Sequence, residues 1–197
     1  MSPRAGLDKT VVVEAAADLI NTEGIEALTL SRLAERLGVR TPSLYNHVDG
    51  MHGLYRELAL MNVRLMGARL GDAAMGRSGS EAVMAVAQAY RAYIKEYPGL
   101  YMASLRAART RTPVDVELQA AEEQVVKIAM AVVASFGLSG EDGLHAVRGL
   151  RSIVHGFATL EIAGGFGLPL DCDESFRRLV SLFIRGLQHP AGKGRQL

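Results

Sequence analysis

The amino-acid sequence predicts an all-α protein with nine helices. Apolar residues recur at the spacing of an amphipathic helix along almost the whole chain, whereas the strict alternation that is typical of strands is missing. Repeated helix-start and helix-stop signals divide the 197 residues into segments of helical length. Hydrophobic residues make up 49% of the chain, enough for a folded core, and the length is that of one domain or of one domain with a small head.

Capping residues mark the first three helices. We expect Asp8 to cap the first helix, which runs to about Asn21. Thr29 is expected to cap the second helix, and Gly38 to end it in the left-handed conformation. Thr41-Pro42 predicts the start of the third helix, because a capping hydroxyl is followed by a proline whose missing N–H costs nothing at the first helical position.

The remaining six helices are longer, and glycine, proline or a polar loop separates them. Thr112-Pro113 repeats the start signal of the third helix. Ser139 with Asp142 three residues later resembles a capping box, and Asp173 is expected to cap the last helix. The expected limits of these helices are Asp49 to about Gly71, the end of the loop 76–80 to about Tyr97, Pro98 to about Arg109, Thr112 to Gly137, Ser139 to Gly164, and Asp173 to about Leu187.

Residues 29–48 have the spacing of a tight helix–turn–helix. Ala34 supplies the small residue that is needed where two short helices cross closely, and Gly38 tolerates the sharp turn four residues later. Leu44 lies six residues beyond Gly38, where the next helix must pack on its predecessor. Many helical proteins contain two helices joined in this way, so the spacing leaves open both a DNA-binding and a purely structural interpretation. The small core is completed by Leu33, Leu37, Val39 and Val48.

Polar side chains cluster at the turn and after it, and all of them can donate hydrogen bonds. They are short enough to reach phosphates or base edges if the third helix lies in a major groove. The whole chain carries a formal charge of only +1, and residues 29–48 carry three arginines against Glu35. The positive footprint is therefore local, and we expect a moderate salt dependence. These polar residues are Arg40, Thr41, Ser43, Tyr45, Asn46 and His47.

The pattern Gly24…Leu28-Thr29-Leu30…Leu33-Ala34…Leu37-Gly38-Val39…Ser43-Leu44-Tyr45-Asn46-His47-Val48…Leu54 resembles the N-terminal domain of TetR-type transcriptional regulators over about residues 8–60. The resemblance implies an all-helical homodimer. Its DNA-binding domain (1–50) would contact a double-stranded operator, and its C-terminal domain (51–197) would bind a small-molecule effector and pair the subunits through helices eight and nine. By position, the DNA-facing residues are Thr29, Arg40, Thr41, Pro42, Ser43, Tyr45, Asn46 and His47.

Two positions depart from the family pattern near the third helix. Met51 stands where family members often carry a lysine, and Val48 stands where they usually carry a phenylalanine. Further along, Val154-His155-Gly156 with Phe157 resembles the family's subtype that is named for a Trp-His-Gly motif, although the tryptophan is missing.

The fifth helix carries tyrosines at spacings of three and four, which places them on one face. One interpretation is a core stripe with hydroxyls at its edge. The other is the aromatic wall of a pocket for a mostly apolar effector, with methionines as adaptable lining. The predicted pocket residues are Met61, Met66, Tyr90, Tyr93, Tyr97, Met102, Met130 and His155.

The ninth helix is apolar almost all round, which favours burial on both sides and hence a partner chain. Gly149 and Gly156 on the eighth helix would allow two backbones to approach closely. Together they predict an intersubunit bundle of helices eight and nine. Its predicted residues are Ile153, Phe157, Phe176, Val180, Phe183 and Leu187.

Enzymatic and metal sites find little support. A di-iron bundle needs two Glu-x-x-His motifs on facing helices, which the sequence lacks, and a single cysteine, Cys172, cannot form a multi-cysteine zinc site. The longest apolar run, 128–134, is far below the roughly 20 residues that span a bilayer, and Asp8 and Lys9 come too early for a signal peptide. We therefore expect a cytoplasmic, ligand-responsive repressor without cofactor, metal, enzymatic activity or membrane partner. The alternative is a helical dimeric binding module without sequence-specific DNA binding.

Overall fold

The structure is a computed structural model that describes residues 7–109 and 115–188. Over these ranges it contains nine α-helices and no strand, which confirms the predicted all-α class. A short 3₁₀ helix, Ile25–Ala27, follows the first α-helix. The helices are α1 (Lys9–Glu23), α2 (Leu30–Leu37), α3 (Thr41–Leu44), α4 (Gly50–Ala74), α5 (Gly79–Glu96), α6 (Pro98–Arg109), α7 (Val116–Ala134), α8 (Gly140–Ile162) and α9 (Cys172–Gln188).

The caps of the first two helices are those that the sequence predicts. The Asp8 carboxylate accepts a hydrogen bond from the N–H of Val11 at 2.9 Å, and the Thr29 hydroxyl accepts one from the N–H of Arg32 at 3.1 Å. Gly38 ends α2 at φ 66° and ψ 30°, in the left-handed region. These signals are reliable because each involves residues no more than four apart in the chain.

Three helix starts differ from the expectation. Arg40, not Thr41, occupies the N-cap position of α3, and no side chain caps that helix. Ser139 stands at the N-cap of α8 but makes no side-chain capping bond, so the predicted capping box is wrong. The cap of α9 is Asp171, whose carboxylate accepts hydrogen bonds from the N–H groups of Asp173 and Glu174.

The start signal Thr112-Pro113 lies outside the described residues. The first described residue of this region, Asp115, caps α7 by accepting a hydrogen bond from the N–H of Leu118 at 3.1 Å.

The chain divides into two compact units. Unit 1 comprises the described residues of Met1–Leu65 and Tyr97–Ala121, and unit 2 comprises those of Met66–Glu96 and Glu122–Leu197. The division assigns α6 to the same unit as α1, because Gly99 approaches the backbone of Ile20 and the N–H of Leu100 donates to the Asn21 side chain at 3.0 Å. This division reflects how densely residues contact one another and not what they do. The predicted boundary between a DNA-binding and an effector-binding domain at residue 50 therefore stays a prediction.

Each unit has its own apolar core. In unit 1 the inner face of α1 packs with residues of α2, α3, the start of α4 and α6, and Leu19, Leu33, Leu44 and Leu54 are all at most 1% exposed. In unit 2, α5 packs against α8 and α9, and Tyr93 of α5 is fully buried. Burying each large apolar side chain stabilises the fold by roughly 1.5–3 kcal/mol. Among the described helices, none combines the length and the apolar character that crossing a bilayer requires.

Candidate nucleic-acid interface

The turn between α2 and α3 is closed by backbone hydrogen bonds. The N–H of Gly38 donates to the Glu35 carbonyl and the N–H of Val39 donates to the Ala34 carbonyl, both at 3.0 Å. A Cβ on Gly38 would meet nothing within 4 Å, so this position needs glycine for its positive φ and not for space. The turn therefore reverses the chain within the few residues that a helix–turn–helix allows.

The predicted small core braces α3 against α2. Leu33 and Leu44 are fully buried, Ala34 is 2% exposed and Val48 is 5% exposed. Leu37 and Val39 are partly buried and pack against the same cluster. Because apolar contacts from both helices fix α3, its outward residues are held by the fold and not by their own polar groups.

The third helix is shorter than the sequence indicates. It ends at Leu44, and the predicted interface residues Tyr45, Asn46 and His47 lie in the turns that follow. The N–H groups of His47 and Val48 both donate to the Leu44 carbonyl, at 2.9 and 3.0 Å, and keep these turns compact. Residues 45–47 are tyrosine, asparagine and histidine, all weaker helix formers than leucine or alanine, and this composition favours an early end.

The predicted DNA-facing side chains point away from the core. Tyr45 is 60% exposed, Arg40, Pro42 and Asn46 are exposed, and the remaining three residues of the segment are half-buried. Thr29 is also exposed, but its hydroxyl already serves as the cap of α2. Within the described part of the chain, no hydrogen bond or ion pair involves the side chains of Arg40, Thr41, Ser43, Tyr45, Asn46 or His47. Their donors are therefore available to an external acceptor.

The local positive charge is smaller than the sequence of this segment suggests. Arg32 and Arg36 both form ion pairs with Glu23 at the end of α1. Counting Glu23 reduces the net charge of the helix–turn–helix from +2 to +1, and among the described arginines of this segment only Arg40 has no carboxylate partner.

An ion-pair network in unit 1 holds the helix that follows the candidate interface. The Arg56 guanidinium contacts both carboxylate oxygens of Asp115, at 2.6 and 2.9 Å, and one oxygen of Glu117 at 2.6 Å. Hydrogen bonds to these carboxylates raise the pKa of Arg56 above its ordinary value, and the same contact lowers the pKa of Glu117. Asp115 also caps α7, so one carboxylate ties the start of α7 to α4.

The predicted pocket residues belong to both units. In unit 1, Met61 and Tyr97 pack against the core and Met102 is 40% exposed. In unit 2, Tyr90 and Tyr93 are 6% and 0% exposed, as a core stripe requires. The pocket interpretation stays a prediction for these residues and for Met66, Met130 and His155.

Two of the unit 2 residues have defined surroundings. The Met130 methyl group lies 2.8 Å from the position that a Cβ on Gly143 would take, so this methionine fills the space that the glycine leaves. Burial lowers the pKa of the half-buried His155, and the charge of Arg151 adds to this effect.

A cavity of about 260 Å³ in unit 2 lies at the connection between α8 and α9. It is lined by Phe157, Gly165, Phe166, Gly167, Leu168, Leu170, Cys172 and Ser175, and by none of the predicted pocket residues. The described residues contain no group of three or more His, Cys, Asp or Glu side chains that could hold a metal ion.

Four of the six predicted interface residues are buried within their own chain, and the interface assignment of all six stays a prediction. Phe157, Phe176, Val180 and Leu187 are at most 9% exposed, and the ring centres of Phe157 and Phe176 are 5.1 Å apart. Ile153 and Phe183 are half-buried. The Phe183 ring lies 3.1 Å from the position of a Cβ on Gly149, so this glycine accommodates α9 of the same chain. Sequence periodicity could not separate burial within one chain from burial between two.

Two family models match this chain. A model described as bacterial regulatory proteins, tetR family, matches residues 12–58, which include the helix–turn–helix. A model described as tetracyclin repressor-like, C-terminal domain, matches residues 83–183. Neither description names the Trp-His-Gly subtype, so that part of the resemblance stays a prediction.

Two curated relatives are similar over nearly the full chain. The uncharacterized HTH-type transcriptional regulator YobS of Bacillus subtilis (strain 168) is 33% identical over 188 residues, which cover 95% of this chain and 96% of the relative. The uncharacterized HTH-type transcriptional regulator Rv0681 of Mycobacterium tuberculosis (strain ATCC 25618 / H37Rv) is 34% identical over 193 residues, which cover 96% of this chain and 86% of the relative.

A solved structure shares the fold. The crystal structure of the TetR family transcriptional regulator PfmR from Thermus thermophilus superposes with a TM-score of 0.68 at 21% identity, covering 93% of this chain and 99% of that one.

Proposed function

Because this chain belongs to the TetR family of ligand-responsive, DNA-binding transcriptional regulators, we propose that it is a repressor that binds a palindromic operator as a homodimer. A small, mostly apolar effector would release it from the DNA. The chain is a transcriptional regulator and not an enzyme. The competing hypothesis is a helical dimeric binding module that has lost sequence-specific DNA binding.

The observation that carries the proposal is the set of unpartnered donors around α3. Exposed side chains such as Arg40, Tyr45 and Asn46 are held on a braced turn and make no hydrogen bond within the described residues. An asparagine amide can pair with adenine and an arginine with guanine in the major groove, whereas hydroxyl groups suit phosphates or either kind of base. Each good base contact contributes about 1–3 kcal/mol of discrimination.

The Thr41→Ala/Tyr45→Phe double variant tests this interface. It removes two hydroxyl groups that no described residue uses, so we expect operator affinity to fall by about tenfold or more while the melting temperature stays nearly unchanged. The control is Thr22→Ala/Tyr55→Phe, which removes the same two groups elsewhere in unit 1; it differs in that the Thr22 hydroxyl donates to the Asp18 and Leu19 carbonyls of its own helix. Fluorescence anisotropy with labelled operator measures both. Equal affinity of the two double variants would favour the binding-module hypothesis.

The operator for this assay is identified by the genomic DNA fragments that the purified protein binds. Sequencing the genomic fragments that the purified dimer retains is expected to yield a shared palindrome, because a twofold dimer places two identical half-site readers about one helical turn apart or a multiple of it. A collection of fragments without a shared palindrome would contradict the proposal.

Effector release is supported by the composition of the C-terminal helices. These helices contain both tyrosines and methionines, and hydroxyl groups together with adaptable thioethers would suit a mostly apolar molecule with a few hydrogen-bonding groups. Effector and operator must weaken each other's binding by the same factor, because coupling between two binding sites is reciprocal. A compound that lowers operator affinity must therefore bind the DNA-bound protein more weakly by an equal ratio.

A further inference from the structure

Glu23 occupies a position that its own helix disfavours. It is the last residue of α1, next to Gly24, and the last turn of α1 contains no basic residue. A carboxylate at a helix C-terminus faces the negative end of the helix dipole. Ion pairs with two arginines of α2 compensate for this unfavourable interaction with the helix dipole.

One carboxylate serves two arginines. An Oε atom of Glu23 accepts a hydrogen bond from Nη2 of Arg32, and the other Oε atom lies 3.8 Å from Nη1 of Arg36. The side chains of Arg32, Arg36 and Glu23 are 53%, 39% and 33% exposed, so solvent and solutes can reach all three. Two of the three arginines of the helix–turn–helix are therefore paired with one acid that lies outside that segment.

We propose that Glu23 competes with DNA phosphates for Arg32 and Arg36 and thereby limits the affinity of this protein for DNA of any sequence. The proposal rests on the proposed function. A guanidinium binds carboxylate and phosphate oxygens through the same donors, so a phosphate can replace Glu23. Exposed ion pairs are weak and easily exchanged in water.

The consequence is a smaller contribution of phosphate contacts to DNA binding. Phosphate contacts supply nearly all of the affinity for non-specific DNA, whereas base contacts from the α3 region add to operator binding alone. Holding two cations on an internal carboxylate lowers the non-specific part and leaves the base contacts untouched. Operator binding loses the same phosphate contribution but keeps its base contacts, whereas non-specific DNA has no base contacts to add.

The test compares Glu23→Gln with Glu26→Gln. Glu26 lies three residues away in the same unit, is 85% exposed and pairs with Arg106 of α6 at 3.0 Å, so its substitution makes the same change in net charge without freeing an α2 arginine. The measurement is the anisotropy of a labelled random-sequence duplex of about two helical turns, titrated between about 50 and 300 mM salt.

We expect Glu23→Gln to bind this duplex about threefold to tenfold more tightly at the lowest salt, and its salt dependence to be steeper by about one to two released ions. Glu26→Gln is expected to give a clearly smaller change. In an Arg32→Met/Arg36→Met background, the two glutamine variants are expected to become indistinguishable, because no α2 guanidinium is left to release. Circular dichroism melting confirms that every variant is folded.

Three outcomes count against the proposal. The inference would be overturned if Glu23→Gln and Glu26→Gln had the same affinity for the random-sequence duplex. If the unaltered protein still bound its operator, the proposed function would stay intact. Weaker binding by Glu23→Gln would show that the carboxylate positions the arginines for DNA. If neither the unaltered protein nor Glu23→Gln binds the random-sequence duplex or any genomic fragment, the proposed function and the inference both fail.

Discussion

Gly99 illustrates what one residue decides in this molecule. A Cβ at this position would lie 2.0 Å from the carbonyl oxygen and 2.3 Å from the carbonyl carbon of Ile20. Both atoms belong to the backbone of α1 and cannot move aside as a flexible side chain can. The glycine therefore sets how closely α6 approaches α1, and the hydrogen bond from Leu100 to Asn21 depends on the same approach.

Gly99→Ala is expected to destabilise the protein by at least about 2 kcal/mol, because α6 must shift away from α1 to accept the methyl group. For a chain of this size the melting temperature falls by about 5 °C or more. Gly71→Ala is the control: its Cβ would make an ordinary contact, 3.7 Å from Ile128, and replacing a helix-interior glycine stabilises by about 0.5–1 kcal/mol. Thermal melts at one fixed protein concentration measure both. A Gly99→Ala protein as stable as the unaltered chain would contradict the packing described.

At the scale of helices, Arg91 joins three elements of unit 2. From α5 it forms a two-pronged contact with Glu161 of α8, at 2.6 and 2.7 Å, and an ion pair with Asp173 of α9 at 2.8 Å. Its guanidinium also lies 5.3 and 4.9 Å from the ring centres of Phe157 and Phe176. The end of α8 and the start of α9 are thus fixed to α5 by one cation.

Arg91→Met is expected to cost about 2–4 kcal/mol at neutral pH, because it leaves Glu161, only 13% exposed, with less compensation for its charge. The hydrogen bond from Arg91 lowers the pKa of Glu161, so this carboxylate stabilises the fold above the carboxyl pKa of the unfolded chain. That stabilisation is lost as the pH falls through the lowered pKa of the folded state.

The difference in stability between the unaltered protein and Arg91→Met is therefore expected to shrink as the pH falls from about 6 to about 3. Urea denaturation across this range, followed by circular dichroism, measures the difference. Two stability curves that stay parallel throughout would contradict the assignment. Arg91→Lys tests geometry separately, since lysine keeps the charge but loses the planar two-pronged contact.

At the scale of the whole molecule, the proposed dimer needs an apolar surface that the single chain does not use. Most of the predicted interface residues of α9 are committed to the core of unit 2, whereas Leu182 on the opposite side is 59% exposed. Leu160 and Ile162 at the end of α8 are 52% and 40% exposed. The outward faces of these two helices are therefore the surfaces that support our proposal of a dimer.

Leu182→Asp is expected to shift the protein towards monomer at micromolar concentration, because a charge would be buried without a partner at the proposed interface. The substitution is preferable to one at Phe183, whose ring packs within its own chain against Gly149. Met75→Asp is the control, since Met75 is 74% exposed in the loop between α4 and α5. Analytical ultracentrifugation measures the oligomeric state. A Leu182→Asp protein that remains dimeric would place the interface elsewhere.

Sequence reasoning succeeded where the deciding contacts are local. The caps Asp8 and Thr29 and the turn at Gly38 involve neighbours within four residues, and each forms as predicted. It was less accurate where two local choices compete. Asp171 and Asp173 can both cap α9, and the choice of Asp171 leaves Asp173 to pair with Arg91, a residue 82 positions earlier in the chain.

The sequence by itself determined the all-α class, the family resemblance and the order of the polar residues around the helix–turn–helix, because helical periodicity and turn chemistry are written over a few consecutive residues. Only the tertiary structure decided which apolar residues of α9 face their own chain. It also decided that Glu23 forms ion pairs with Arg32 and Arg36. Both depend on which surfaces meet once the helices pack, and neither the spacing of residues along a helix nor the net charge of a segment contains that information.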